Sequence, residues 1–202
     1  MKCKLVIIVL LFLNCFVPKE ISYRINLKKG IIDINYLNIC SDAKNDTTLS
    51  KDYFKLKGTY DSVDISLNNN RFKLLSKSLY QRKNTLNGNL NIQVRKADSI
   101  QGTLNYVKEF LFDEIKFKYT NGSIYLKNSK TKVFKLSNSN GKLITKPNSQ
   151  TLIWDGNCRF LQFKISIKDD AFCKSLLNYY LQDASNRSFD RRCEVCSNLP
   201  SR

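Results

Sequence analysis

The 202-residue chain contains no histidine. That absence removes the commonest general base, the usual partner of serine and cysteine nucleophiles, and most catalytic zinc sites. Its 7 glycines are scattered singly, so there is no glycine-rich loop to cradle a phosphate, and its 3 prolines form no proline-rich linker. Acidic residues are few, 17 Asp and Glu against 34 Lys and Arg. The adjacent pairs Asp113 with Glu114 and Asp169 with Asp170 are the carboxylates available for acid–base work, and acids at caps and in loops are usually solvated instead. Internal repeats and low-complexity tracts are also missing.

A single apolar run, Leu5 to Val17, is interrupted only at Asn14 and is preceded by Lys2 and Lys4. It is shorter than the roughly 20 residues a membrane-spanning helix needs. With the polar exit through Lys19, Glu20 and Ser22, residues 1–22 read as a signal peptide, cleaved near Ser22. The far end, 186–202, is polar and charged and offers no hydrophobic tail for a lipid anchor. The expected product has no transmembrane anchor. It is secreted, or lies in the lumen of the secretory pathway or a secretory organelle.

The formal net charge is +17. Such a field attracts polyanions without selecting among them. Cys40, Cys158, Cys173, Cys193 and Cys196 lie beyond the expected leader, and in an oxidising compartment they should form two disulfides and leave one thiol, at least one bridge falling among the last four. Cys193 and Cys196 have the spacing of a redox dithiol but no surrounding βαβ pattern, and a zinc site from the last four lacks both paired spacing and histidine, so structural disulfides are the expectation.

Apolar and polar residues alternate in short runs from Tyr53 onward: Phe54 and Leu56; Val63, Ile65 and Leu67; Phe72 and Leu74; Leu90, Ile92 and Val94; Ile115, Phe117 and Tyr119; Ile124 and Leu126; Phe134 and Leu136; Leu161, Phe163, Ile165 and Ile167. Period two is the signature of half-buried strands. Asn87-Gly88, Asn121-Gly122 and Asn140-Gly141 are dipeptides that suit tight hairpins. Phe172, Cys173, Leu176, Leu177, Tyr180 and Leu181 follow Asp169 and Asp170 with helical spacing, so a helix over 169–182 closes the domain. Residues 109–112 fit a turn or a strand. The expected organisation is a leader (1–22), an N-terminal strand and loop (23–50), a β-rich domain with its closing helix (51–183) and a cysteine-containing tail (184–202). The fold class is mainly β, an antiparallel bent barrel or sandwich of short strands.

Three glycosylation sequons, at Asn45, Asn121 and Asn186, fall where surface loops are expected. The run Arg159-Phe160-Leu161-Gln162-Phe163-Lys164-Ile165-Ser166, followed by acids and an amphipathic helix, resembles the closing half of a pleckstrin-homology-like fold over about Tyr53 to Gln182. That resemblance implies a C-terminal helix plugging a bent seven-stranded barrel, with phosphoinositide-binding cations at Lys55, Lys57, Arg71 and Lys73. The chain departs from the family in lacking a tryptophan in the final helix and in carrying Lys73 where arginine is favoured. The abundance of Lys and Asn resembles secreted proteins of apicomplexan parasites.

The expected function is a secreted basic binding or adhesion module that docks an anionic lipid, a glycan or a protein partner. Candidate contacts are Lys55, Lys57, Arg71, Lys73, Arg82, Lys83, Arg95 and Lys96, which fall near the expected strand ends of the first half. No cofactor is implied, and nucleic acid is not an expected partner for a secreted chain. The competing class is a histidine-free secreted enzyme or redox protein working through carboxylates or the Cys193–Cys196 pair.

Overall fold

A computed structural model describes residues 16–67, 71–95, 99–138, 140–168 and 173–185. The fold is mainly β, with antiparallel sheets and a C-terminal helix, and the sheets do not close into a barrel.

The hairpin of β1 (Phe16–Asn26) and β2 (Ile31–Ser41) lies at the centre of the larger sheet, whose order is β3 (Phe72–Arg82), β4 (Thr85–Val94), β2, β1, β10 (Phe160–Ile167) and β7 (Phe134–Asn138). Ile21, Tyr23 and Ile25 alternate with Ser22 and Arg24 in β1, and Ile32, Ile34 and Tyr36 alternate with Asp33 and Asn35 in β2, so one face is apolar and fully buried. Residues 17–22 pair with β2 from Val17↔Cys40 to Ser22↔Asn35, and Ile21 also faces Ile165 of β10, so a cut at Ser22 would split the central strand. The end of the apolar run, which looked like the close of a leader, is strand.

The strands expected at Phe54–Leu56 and Val63–Leu67 are instead one helix, α1 (Asp46–Leu67). Leu49, Tyr53, Leu56, Tyr60 and Val63 are its buried residues and recur at helical spacing. Asn45 caps its start by accepting a 2.8 Å hydrogen bond from the Thr48 amide. Phe54, whose alternation with Leu56 suggested a strand, is 57% exposed on the helix's outer side. Inside, the buried Asp52 accepts a 2.5 Å bond from the Ser41 hydroxyl and ties α1 to β2.

Beyond α1, β3 (Phe72–Arg82) and β4 (Thr85–Val94) form the expected strands, but their turn is at Lys83 and Asn84, with Lys83 at φ 54°. Asn87-Gly88 lies inside β4. The Asn87 Oδ1 accepts the Asn38 amide at 2.9 Å, and Gly88 leaves room for the Tyr60 ring of α1. The segment read as a turn or strand at 109–112 ends a short helix, α2 (Ile100–Val107), which passes into a 3₁₀ turn (Lys108–Phe110).

The smaller sheet has the order β5-β6-β9-β8 and is built from β5 (Ile115–Thr120), β6 (Ser123–Asn128), β8 (Lys142–Lys146) and β9 (Ser149–Asp155). Asn121-Gly122 makes the expected hairpin turn, with φ values of 49° and 68°. Asn140-Gly141 does not: it lies where the chain leaves β7 (Phe134–Asn138) in one sheet and enters β8 in the other. The Asn140 side chain holds that crossing, accepting from Trp154 Nε1 at 2.9 Å and donating to the Phe160 carbonyl at 2.8 Å. Two buried amides then bind the sheets together. Asn128 donates to the Phe134 carbonyl, and Gln150 accepts the Leu136 amide, each at 2.8 Å, so β7 has partners on the side away from β10 (Phe160–Ile167).

One continuous core runs between these layers, with Tyr23 stacked on Phe163 at 4.8 Å and Phe117 and Trp154 packed on the same Phe163 ring. The C-terminal helix, α3, spans 177–185 rather than 169–182, and β11 (Lys174–Ser175) precedes it and pairs with β2. Cys173, expected in the helix, is outside it and is bonded to Cys40. Tyr53 and Lys57 of α1 reach Asp183 of α3, each at 3.0 Å.

Candidate polyanion-binding face

The eight cations singled out in the sequence do not form one patch. Lys55 is exposed on α1, and Lys57 is held by Asp183. Arg71 pairs with Glu109 and lies over the rings of Phe72 and Tyr106. Arg95 donates through Nε to the Phe72 carbonyl and sits with Arg71 and Lys73 at one end of the β3–β4 hairpin. Arg82 and Lys83 are at its other end, about 30 Å away at ~3.4 Å per strand residue. Lys96 lies outside the described residues.

The smaller sheet carries a denser arrangement. Ile115 and Phe117 of β5, Ile124 and Leu126 of β6, and Leu152 and Trp154 of β9 turn toward the core. Alternation therefore sends Lys116, Lys118, Tyr125, Lys127, Thr151 and Ile153 to the opposite face. Pairing aligns them in rows across all four strands. One row is Lys116, Lys127, Thr151 and Ile144; the next is Lys118, Tyr125, Ile153 and Lys142. Lys146 stands two residues beyond Ile144 on β8. Neighbouring strands are about 4.8 Å apart, so five ammonium groups share a face roughly 15 Å across.

The acid content of these strands makes that concentration sharper. Asp155 is the one carboxylate in the four strands, and it sits at the Gly122 end, accepting the Asn157 amide at 2.7 Å. Lys116, Lys118, Lys127, Lys142 and Lys146 are all exposed and make no ion pair among the described residues. Lys116 and Lys127 stand directly opposite one another, an arrangement that costs a few tenths to about 1 kcal/mol in a sheet. Lysines at an edge strand are a common defence against edge pairing, which accounts for Lys116 and Lys118 on β5 and for Lys142 and Lys146 on β8, but Lys127 is on an inner strand. Sequence reasoning passed over these residues because it counted charge near the first hairpins. The signal was present in Ile115-Lys116-Phe117-Lys118, whose apolar partners fix where both lysines point.

The groups available for chemistry are differently placed. Glu114 is bound by Lys130 at 2.6 Å, and that hydrogen bond holds its carboxyl below the usual range, the opposite of what a general acid requires. Asp113 is exposed in a turn. Cys158 is a half-buried free thiol at an open cleft of about 450 Å³ shared with Lys28, Ser99 and Arg159. Burial, with the Asp155 charge as a smaller contribution, pushes its pKa up and keeps it protonated. Of the candidate disulfide cysteines, Cys40 and Cys173 pair with each other; Cys193 and Cys196, on which the bridge expected among the last four also depends, lie outside the described residues, as do Asp169, Asp170 and Asn186. Of the sequon asparagines, Asn45 is an exposed helix cap and Asn121 an exposed turn residue. No group of metal-ligating side chains occurs among the described residues. No family model matches the chain, and no curated protein or solved structure matches it either.

Proposed function

We propose that this chain is a secreted cationic binding module whose docking surface is the outer face of the β5-β6-β9-β8 sheet. The observation that carries the reading is the pair Lys116 and Lys127, set among Lys118, Lys142 and Lys146 in four strands whose one carboxylate is the peripheral Asp155. A folded protein tolerates like charges in register at a stability cost, and an anionic ligand would turn that cost into binding energy. Secretion is supported by the Cys40–Cys173 disulfide, which suits an oxidising compartment. Among the described residues no helix is long and apolar enough to cross a membrane.

The experiment is retention on immobilised heparin, used as a generic polyanion, across a salt gradient. Lys116→Glu, Lys118→Glu and Lys127→Glu together should elute at much lower salt than Lys55→Glu, Lys73→Glu and Lys83→Glu together, although both sets change net charge equally. Equal losses would make the cationic character a diffuse property of composition.

A further inference from the structure

Resting on that reading, we propose that the natural ligand of the lysine face is an anionic lipid surface, entered at its edge by the strand β8. Lys142-Leu143-Ile144-Thr145-Lys146 is exposed along its whole length. Leu143 and Ile144 are 40% and 36% exposed, adjacent in the chain, and directed to opposite sides of the strand. An aliphatic pair so exposed at a sheet edge is only partly covered by this core. Leu143 extends the inner row Phe117, Leu126 and Leu152, but that row is buried only as far as Leu152. Ile144 ends the outer row that begins with Lys116 and Lys127.

The two features belong to one chemistry. A sulfated glycan is polar throughout and would use the lysines while leaving Leu143 and Ile144 in water. A bilayer interface takes both: aliphatic side chains enter the headgroup and acyl boundary, and lysines flanking them extend their stems along apolar surface to keep the ammonium groups among anionic headgroups. Lys142 and Lys146 bracket the aliphatic pair, and Tyr125 and Ile153 continue the half-buried apolar surface inward between Lys118 and Lys142. Each cation near such a surface contributes about 1 kcal/mol. The open edge of β8 limits the depth, because its unpaired backbone groups cannot enter hydrocarbon. Association should therefore be shallow, reversible and weakened by salt.

The test is sedimentation with vesicles of phosphatidylcholine containing about a third phosphatidylserine, run beside heparin retention. The intact protein should bind these vesicles and not pure phosphatidylcholine. Leu143→Ser with Ile144→Ser should lose at least tenfold in vesicle affinity while eluting from heparin as the unchanged protein does, the heparin retention showing that the variant is folded with its lysine face intact. If the intact protein bound heparin but not the vesicles, or if the serine variant bound vesicles as tightly as the original, the lipid assignment would be overturned with the cationic face left standing. Loss of both heparin and vesicle binding in the intact protein would remove the face itself as a site.

Discussion

Lys116 faces Lys127 directly across the β5–β6 pair, with both side chains exposed and no acid in their row. Relieving the repulsion should stabilise the protein and weaken it as a binder. Lys127→Glu is expected to raise stability by a few tenths of a kcal/mol to about 1 kcal/mol, seen as a rise of roughly 2 °C in thermal midpoint. The same variant should leave heparin at lower salt. A fall in midpoint would show that the two lysines are not in conflict.

Two buried tyrosines should respond oppositely to loss of their hydroxyls. Tyr23 donates to the Phe110 carbonyl at 2.7 Å, whereas the Tyr36 hydroxyl is buried without a partner. Tyr23→Phe should destabilise by about 1 kcal/mol, and Tyr36→Phe should be neutral or stabilising by up to about 2 kcal/mol. Denaturant melts of both variants check this.

Burial raises the phenol pKa of Tyr23, Tyr36 and Tyr60 above the ordinary value of 10.0. An acid whose folded pKa is raised is protonated longer in the native state, so its contribution is intact below the unfolded pKa and lost as pH climbs from there toward the folded value. Stability should be level across neutral pH and fall from about pH 10 upward. Thermal melts between pH 8 and pH 11 measure it; a curve flat to pH 11 would contradict the burial of these rings.

The Cys40–Cys173 bridge closes a loop with a sequence separation of 133 and fastens β11 and the segment leading to α3 onto β2. Cys40→Ala with Cys173→Ala should cost about 2–5 kcal/mol in a denaturant melt. In non-reducing peptide mapping these two cysteines should appear in one linked fragment.

A chain beginning at Tyr23 should fail to fold, since it lacks more than half of the strand that joins β2 to β10, whereas one beginning at Phe16 should give a cooperative melt. Circular dichroism of the two truncations is sufficient. Equal cooperativity would show that 16–22 is dispensable.

From Phe72 onward most strands are legible in the sequence, because their alternation is regular and each is half-buried against a single core. The losses have local causes. In α1 the strand pattern of Phe54 and Leu56 competed with the helical stripe Leu49, Tyr53, Leu56, Tyr60 and Val63, and the longer pattern carries the burial. Asn87-Gly88 has turn chemistry, yet Asn87 spends its side chain on the distant Asn38 amide, a demand of tertiary structure that no local pattern shows. Phe16 and Val17 continue an apolar run, so composition alone could not separate the strand from the apolar residues before it. For the site, charge was legible and its grouping was not. The grouping follows from which strands pair, and the rows linking Lys116 to Ile144 and Lys118 to Lys142 join residues of four strands.

Competitive heparin elution of two charge-matched variants decides whether the cationic character is localised on the outer face of the smaller sheet. With localised charge, the Glu triple at Lys116, Lys118 and Lys127 elutes at no more than about half the salt concentration required by the unchanged protein, while the Glu triple at Lys55, Lys73 and Lys83 stays close to it. The difference should fade at high ionic strength, where screening shortens to roughly 3 Å. Coincident elution of the two triples at every salt concentration would contradict that localisation.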